Sequence, residues 1–483
     1  MLDAIYNSFA SLIAYISNFM YSYLLIILLL AVGIYFTIRS KFVQISFFKE
    51  SIRVVGEKSH EANAISAFEA LMVSTASRVG TGNIVGVANA IAIGGYGAIF
   101  WMWLIAIVGS ATAFVESTLA QIYKKHSPSG GSYGGPSYYI ETALKNRPLG
   151  IIFSIALIAT YAGGFNMLAS FNLIDSLSNY GFYQEAFYGN INIIPIIGGA
   201  VLALTTAVCL MGKNNRIVKV TGVLVPIMGV TYIIMAVIAM LLNINMLPQV
   251  IVNIFKGAFD FKAIFGGAAG FGSSAVMQGV KRGLYSNEAG VGSAPNAAAT
   301  ANVSHPVKQG LVQMLSVFID TILVCTATAM MCLCTGIEPS EGLKGAPFVQ
   351  YSLYLTFGNI GPVFITIALL LFAFTTLLGN LFYCEGCLNY IAGHKIKDIH
   401  AQIFRALACV VIFIGAQMKF GLVWDLADVL MGIMALINLP VIVILGKTSM
   451  LTLKDYMKQK KEGKDPVFKA SSIGLKEKTD YWN

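Results

Sequence analysis

Residues 76–86 read Ala-Ser-Arg-Val-Gly-Thr-Gly-Asn-Ile-Val-Gly and lie in the middle of an apolar run, 64–93, long enough to cross a bilayer. Glycines at 80, 82 and 86 are poor helix formers, and Arg78 and Asn83 are costly in hydrocarbon. Irregular backbone at that depth persists only where protein buries it or where it lines a water-filled cavity. A helix interrupted here offers amide donors at one new end and carbonyl acceptors at the other, which suits a small carboxylate and a cation side by side. For one segment alone, a glycine-kinked packing helix is the commoner case. A second break in a matching place reverses that preference.

Other suggestive spacings do not lead to chemistry. Gly130-Gly-Ser-Tyr-Gly134 matches G-x-S-x-G, but that motif needs a strand, a helix and Asp and His partners, and here it falls in a connection between apolar segments. Gly446-Lys447-Thr448 ends like a phosphate loop, yet Val441 stands where the first glycine belongs. Cys384 and Cys387 have metal-like spacing without a second pair, and the seven cysteines fall in or beside apolar segments as buried helix residues do. Arg78, Glu69, Glu116, Glu288 and Asp320 are ionisable residues near or within spans. Arg78 is expected to pair with Glu116 or Asp320 as part of a gate.

The chain that must position these residues has 483 residues, 57% hydrophobic and 11% charged. Soluble domains carry about 25% charged residues, so this is an integral membrane protein, and helical rather than a barrel. The net charge of +9 does not imply nucleic acid, because the basic residues are distributed by topology. The first apolar run is followed by Arg39 and Lys41 without a small-residue cleavage site, so it is expected to remain as a span.

Eleven spans are expected, near 20–38, 64–93, 97–123, 149–175, 193–211, 217–242, 262–300 (interrupted), 308–335, 357–392, 402–418 and 421–446, with a short interfacial helix before the first. Alternate connections and the tail then collect 27 of the 32 basic residues, including Lys281, Arg282 and Lys308. The N-terminus is therefore expected outside and the C-terminus in the cytoplasm. The parts are 1–60 (interfacial helix, extra span and basic connection), 61–446 (a ten-helix core) and 447–483 (a basic cytoplasmic tail). The core divides into repeats of about 61–243 and 255–446. The first helix of each repeat is interrupted, at Gly80 and within Gly266–Ser274, and five spans per repeat require the second to run inverted. The fold class is all-α integral membrane, a LeuT-type five-plus-five inverted repeat plus one N-terminal span.

Four stretches resemble the alanine/glycine:cation symporter family of bacteria and archaea: Gly94–Gly109, Arg78–Ile84, Lys281–Asn296 and Ala373–Asn380. The resemblance runs from about residue 60 to 440. It implies a symporter in the plasma (inner) membrane, not an enzyme, that imports small neutral amino acids by alternating access. Alanine and glycine are the expected substrates, with glutamine and serine as further candidates. Sodium is the implied coupling ion and no other cofactor is expected; proton coupling is the alternative and an ion channel a remote one. Carried over by position, Thr81, Gly82 and Asn83 face the substrate carboxylate, and Phe271, Gly272 and Ser273 supply carbonyls for the ammonium and an aromatic wall. Asn166 and Asn172 line the site. Ala169 stands where the family commonly has Gln, which puts the substrate in question. Sodium is implied at the carbonyls of Ala76, Val79 and Phe372 and the hydroxyls of Thr375 and Thr376. The expected partners are the amino acid, sodium and the lipid bilayer, with the protein a monomer.

Overall fold

Apolar runs without Pro or Gly become long helices here, and glycine clusters become the places where helices end. The computed structural model describes residues 2–59, 64–127, 131–189, 191–210, 215–260, 274–339, 343–393 and 396–482. It is helical apart from two two-residue hairpins. Among the described residues, eight helices are long and apolar enough to cross a membrane. The helices that matter below are α1 (Tyr6–Arg39), α2 (Ala67–Arg78), α3 (Val85–Gly94), α4 (Gly97–Ile122), α5 (Arg147–Asp175), α6 (Ala275–Asn287), α7 (Ala294–Ala298), α8 (Pro306–Leu333), α9 (Ile360–Ala392) and α10 (Phe420–Lys461). Ile194–Leu210 is apolar but shorter. The expected span at 262–300 falls partly outside the described residues.

The N-terminal reading changes. In place of an interfacial helix followed by a separate span, one helical stretch runs to Arg39, with a π-turn at Met20–Leu24. No proline or glycine lies between Leu2 and Leu24 to divide it. It packs along α10, where a Cβ on Gly432 or Gly446 would overlap Met20 and Phe36 respectively.

Large apolar side chains such as Leu204, Ile227, Leu241, Ile367 and Leu407 are exposed on the outer helices, as a lipid-facing surface requires. The polar side chains turn inward: Arg78, Asn83, Glu116, Asn166, Asn172, Asp320 and Asn380 are buried. Trp101 and Trp103 are partly buried, and both indole N–H groups are satisfied, by Ala258 O (3.1 Å) and Thr326 Oγ1 (2.8 Å).

The last helix continues well past the apolar segment to Lys461, and the following chain folds back on one end of the bundle, hereafter the tail end. Glu50 on the short helix Phe48–Val55 holds this extension. It accepts from Arg53 (2.8 Å), Tyr456 Oη (2.6 Å) and Lys460 (3.0 Å). These donors, Arg53 foremost, lower its carboxyl from the ordinary 4.5 to about 2. A depressed folded-state pKa gives stability that is complete above the unfolded value and disappears as pH falls through the folded one. Glu50→Gln should therefore cost on the order of 1 kcal/mol at neutral pH, the group being partly solvated. Unfolding of wild type and variant in detergent should converge between about pH 4.5 and about pH 2. A gap that ignores pH would contradict this account.

Candidate functional site

α2 begins with a capping box, in which Ser66 and Glu69 satisfy each other's backbone amides, so Glu69 is a helix cap. The helix stops at Arg78. The Gly80 amide, which would continue the ladder to Ala76 O, donates instead to Arg78 O (2.9 Å) and Asn83 Oδ1 (3.2 Å). Ala76 O thus loses its helical donor. One turn of tight helix, Thr81–Asn83, leads into α3, and its first amides lack intrahelical acceptors. The interruption expected at Gly80 is present.

The glycines are there for close approach. A Cβ on Gly80 would overlap the Thr376 hydroxyl, and one on Gly82 would overlap the Tyr285 ring. Gly379 on α9 meets Ser77 in the same way. The two partner helices, α6 and α9, therefore touch the bare backbone of the break.

A second break faces the first, at Glu288–Ser293. α6 ends at Asn287, Glu288 takes a left-handed conformation (φ 53°), and Gly290 (φ 86°) and Gly292 (φ 91°) carry the chain to α7, which opens with Pro295. The glycine-rich stretch that the sequence suggested for this break, with Phe271, Gly272 and Ser273, lies outside the described residues. Glu116 of α4 braces the observed break by accepting from Gly290 N (3.2 Å) and Asn438 Nδ2 (2.8 Å). Ser293 Oγ donates to Glu288 (2.6 Å). The sequence carried a signal for this arrangement: two glycines two apart, then a proline, following a polar pair.

Arg78 joins the two breaks. Its Nε lies 3.2 Å from Asp320 Oδ2, Nη1 donates to Asn287 O at 3.1 Å, and Nη2 donates to Gln313 (2.9 Å) and Ser316. Of its two expected partners, Asp320 is the one it pairs with; Glu116 is engaged elsewhere. Asp320 occupies a π-turn, Phe318–Cys325, whose wider ladder leaves its carbonyl to accept from Asn83 Nδ2 (2.9 Å). Asn83 Nδ2 also reaches Ser286 Oγ (3.0 Å). Its side chain therefore ties the breaks together.

Another π-turn, Ala159–Phe165 in α5, precedes the expected lining residues. Asn172 Nδ2 donates to Thr81 Oγ1 (2.9 Å), and Asn166 Oδ1 accepts from Asn380 Nδ2 (2.9 Å), while Asn380 Oδ1 accepts from the Ser77 hydroxyl (2.6 Å). Asn166 Nδ2, Ser170 Oγ, Asn172 Oδ1 and Thr376 Oγ1 are buried without a hydrogen-bond partner among the described residues. Buried polar groups left over in this way imply something to bind. Thr375 differs from its neighbour: its hydroxyl donates to Leu371 O (3.0 Å) and Phe372 O (3.2 Å) and lies against Met228 Sδ (3.6 Å). Ala169 is fully buried. Over the break, Tyr285 packs between Phe165 (4.8 Å between centroids) and Trp424 (5.3 Å), a cluster that the sequence did not single out.

Lys281 and Arg282 are corrected. They were counted with connection charges, but both are buried within α6. Arg282 grips Asp428 at 2.9 and 3.3 Å and stacks on Trp424; Lys281 meets Asp428 (2.9 Å), Asp425 (3.6 Å) and Ser17 Oγ (2.8 Å). Two carboxylates three residues apart on α10 allow two charges to sit inside a span. Ser132 of the hydrolase-like motif donates to Ala299 O (2.8 Å). All seven cysteines are free, and among the described residues no cluster of three or more His, Cys, Asp or Glu could hold a metal.

A solved structure of MhsT in complex with L-phenylalanine superposes with a TM-score of 0.54 at 13% identity, covering 82% of this chain and 96% of that one. At that identity the likeness concerns fold alone: the two chains share an all-helical architecture, here with eight helices among the described residues long and apolar enough to cross a membrane. The sodium:alanine symporter family profile matches residues 6–470. The amino-acid carrier protein AlsT of Bacillus subtilis (strain 168) is 44% identical over 470 residues, 97% of each chain. The probable sodium/glutamine symporter GlnT of the same organism is 45% identical over 454 residues, 94% of this chain and 91% of that one. The chain belongs to the sodium:alanine symporter family and is a transporter, not an enzyme.

Breaking a buried ion pair from one side costs about 3–5 kcal/mol, whereas removing both charges together costs far less. Arg78→Met should accordingly lower the thermal midpoint in detergent sharply, and Arg78→Met with Asp320→Leu should recover part of the loss. An unchanged midpoint in the single variant would mean that Arg78 is not held as described.

Proposed function

We propose that the protein is a sodium-coupled symporter that imports small neutral amino acids by alternating access, with alanine and glycine as substrates and glutamine and serine as further ones. The observation that carries this reading is the first break, where freed backbone groups face unpartnered polar side chains. Amides at Thr81 and Gly82 would take the substrate carboxylate, with Asn166 and Asn172 beside it. In this reading Phe271, Gly272 and Ser273 remain candidates for the ammonium side. Sodium would sit at the carbonyls of Ala76, Val79 and Phe372 with the hydroxyls of Thr376 and Thr375. The Thr376 hydroxyl, aimed at Gly80 and otherwise unpartnered, supports this most directly. Thr375 can contribute only its oxygen lone pairs, its proton being committed to carbonyls. The small side chain at position 169 supports room for a longer polar side chain on the substrate, as the name of the GlnT relative also suggests.

A tenfold sodium gradient supplies about 1.4 kcal/mol and 100 mV about 2.3 kcal/mol, together roughly 500-fold accumulation for one ion. That suffices to scavenge a dilute amino acid. In proteoliposomes, labelled alanine uptake should follow an imposed sodium gradient. Thr376→Ala should raise the sodium concentration for half-maximal uptake about tenfold or more, and Thr375→Val should raise it less. Uptake that follows a pH gradient and ignores sodium in all three proteins would favour proton coupling instead.

The reading also includes eleven spans, one N-terminal and ten in two inverted five-helix repeats, acting as a monomer, with the N-terminus outside and the tail end in the cytoplasm. Removing Lys281 and Arg282 from the connections leaves the basic excess on the tail side intact. A fluorescent reporter fused after Asn483 should be active in the cytoplasm; activity only outside would reverse the orientation.

A further inference from the structure

α7 is a five-residue helix, and its last carbonyls cannot be satisfied within it. Side chains from the end of α4 and just beyond do so. Gln121 Nε2 donates to Ala298 O (2.5 Å) and Ala301 O (2.9 Å), and Lys124 Nζ donates to Ala301 O (2.9 Å). Lys124 is fully buried, although it stands in the connection at the tail end. The folded-back C-terminal segment buries it: the Lys124 ammonium lies 4.0 Å from the Tyr481 ring centroid and 5.0 Å from that of Trp482. Trp482 Nε1 donates to Gln121 O (2.7 Å), and Asp480 accepts from His126 N (3.0 Å).

The same segment also grips the approach to α8. Ser304 Oγ donates to Pro466 O (2.8 Å), Phe468 N donates to Ser304 O (2.9 Å), and Asp465 pairs with Lys308 (2.9 Å). One strap, 465–482, carried on the end of α10, therefore crosses the carbonyl end of the second broken helix and both elements beside it. We propose that this strap is a latch. It holds the tail-side half of the second broken helix closed through Trp482 and Lys124, and it must lift before the transport path opens toward the tail end.

The proposal extends the alternating-access reading, but its test needs no substrate. Ala301 is fully buried under the latch. Ala301→Cys, treated from the tail side with a membrane-impermeant maleimide, reports opening there; the protein without that substitution gives the background of the native thiols. Trp482→Ala in this setting should raise the labelling rate about tenfold, the equivalent of about 1.4 kcal/mol, since an indole hydrogen bond and a cation–π contact are lost together. Trp482→Phe keeps a ring over Lys124 and should raise it less. The sodium concentration for half-maximal uptake from the far side should rise in parallel, because a smaller fraction of molecules faces that way. Equal labelling in all three proteins would overturn the latch. Should Trp482→Ala fail to fold, Trp482→Phe and Asp480→Asn decide, and wild-type labelling in both would overturn it. Failure of uptake with any amino acid would overturn the transport reading while leaving the labelling result to judge the latch.

Discussion

One guanidinium governs the interior. Arg78 is charged, fully enclosed, and placed where one helix has just come apart, so its charge needs a counter-ion and its five donors need acceptors. Asp320 supplies the charge, and Gln313, Ser316 and the Asn287 carbonyl supply most of the rest. These acceptors come from α8 and from the last residue of α6. A buried cation on one helix that is satisfied by two others fixes the relative positions of all three more tightly than apolar packing, which tolerates sliding.

Glycine makes that assembly possible in a different way. At Gly80, Gly82 and Gly379 the requirement is the absence of a side chain: the φ angle at Gly80 is −123°, which any residue adopts. What sits in the vacated space differs. A hydroxyl of α9 lies over Gly80, an aromatic ring of α6 over Gly82. The break therefore has a polar side and an aromatic side. At Gly290 and Gly292 the requirement is conformational, because both have φ near +90°.

This distinction explains what the sequence made legible. The first break could be read because three glycines stood beside an arginine and an asparagine in a largely apolar run, with a second glycine-rich stretch in a matching place. The Arg78–Asp320 pair was legible as one of two options for the same reason. The second break was harder. Glycine density drew attention to 266–274, of which only Ser274 lies among the described residues; a break among the described residues occurs at 288–293, where both glycines are left-handed and a proline follows. Lys281 and Arg282 were misplaced because compensation by Asp425 and Asp428 depends on a helix about 150 residues away in sequence. The fate of Thr375 was likewise invisible: adjacent residues on a helix point about 100° apart, so of two neighbouring hydroxyls only one could lie over Gly80.

The coupling of the two breaks has a mechanical consequence. Asn83 leans on Ser286 and Asp320 O, Arg78 on Asn287 O, and the far side of the second break is held by Glu116 and Asn438, the latter on α10. Giving up these bonds together would leave several buried polar groups unpaired, at about 1–3 kcal/mol each. Movements in which one broken helix shifts alone are therefore expensive, and movements in which both shift with α8 are not. A bound cation or carboxylate that alters one break is felt at the other through the same side chains, without any separate relay between them. The shape of the network thus favours a protein that changes between a few whole arrangements over one that opens gradually, which is what a transporter must do if it is never to be open at both ends.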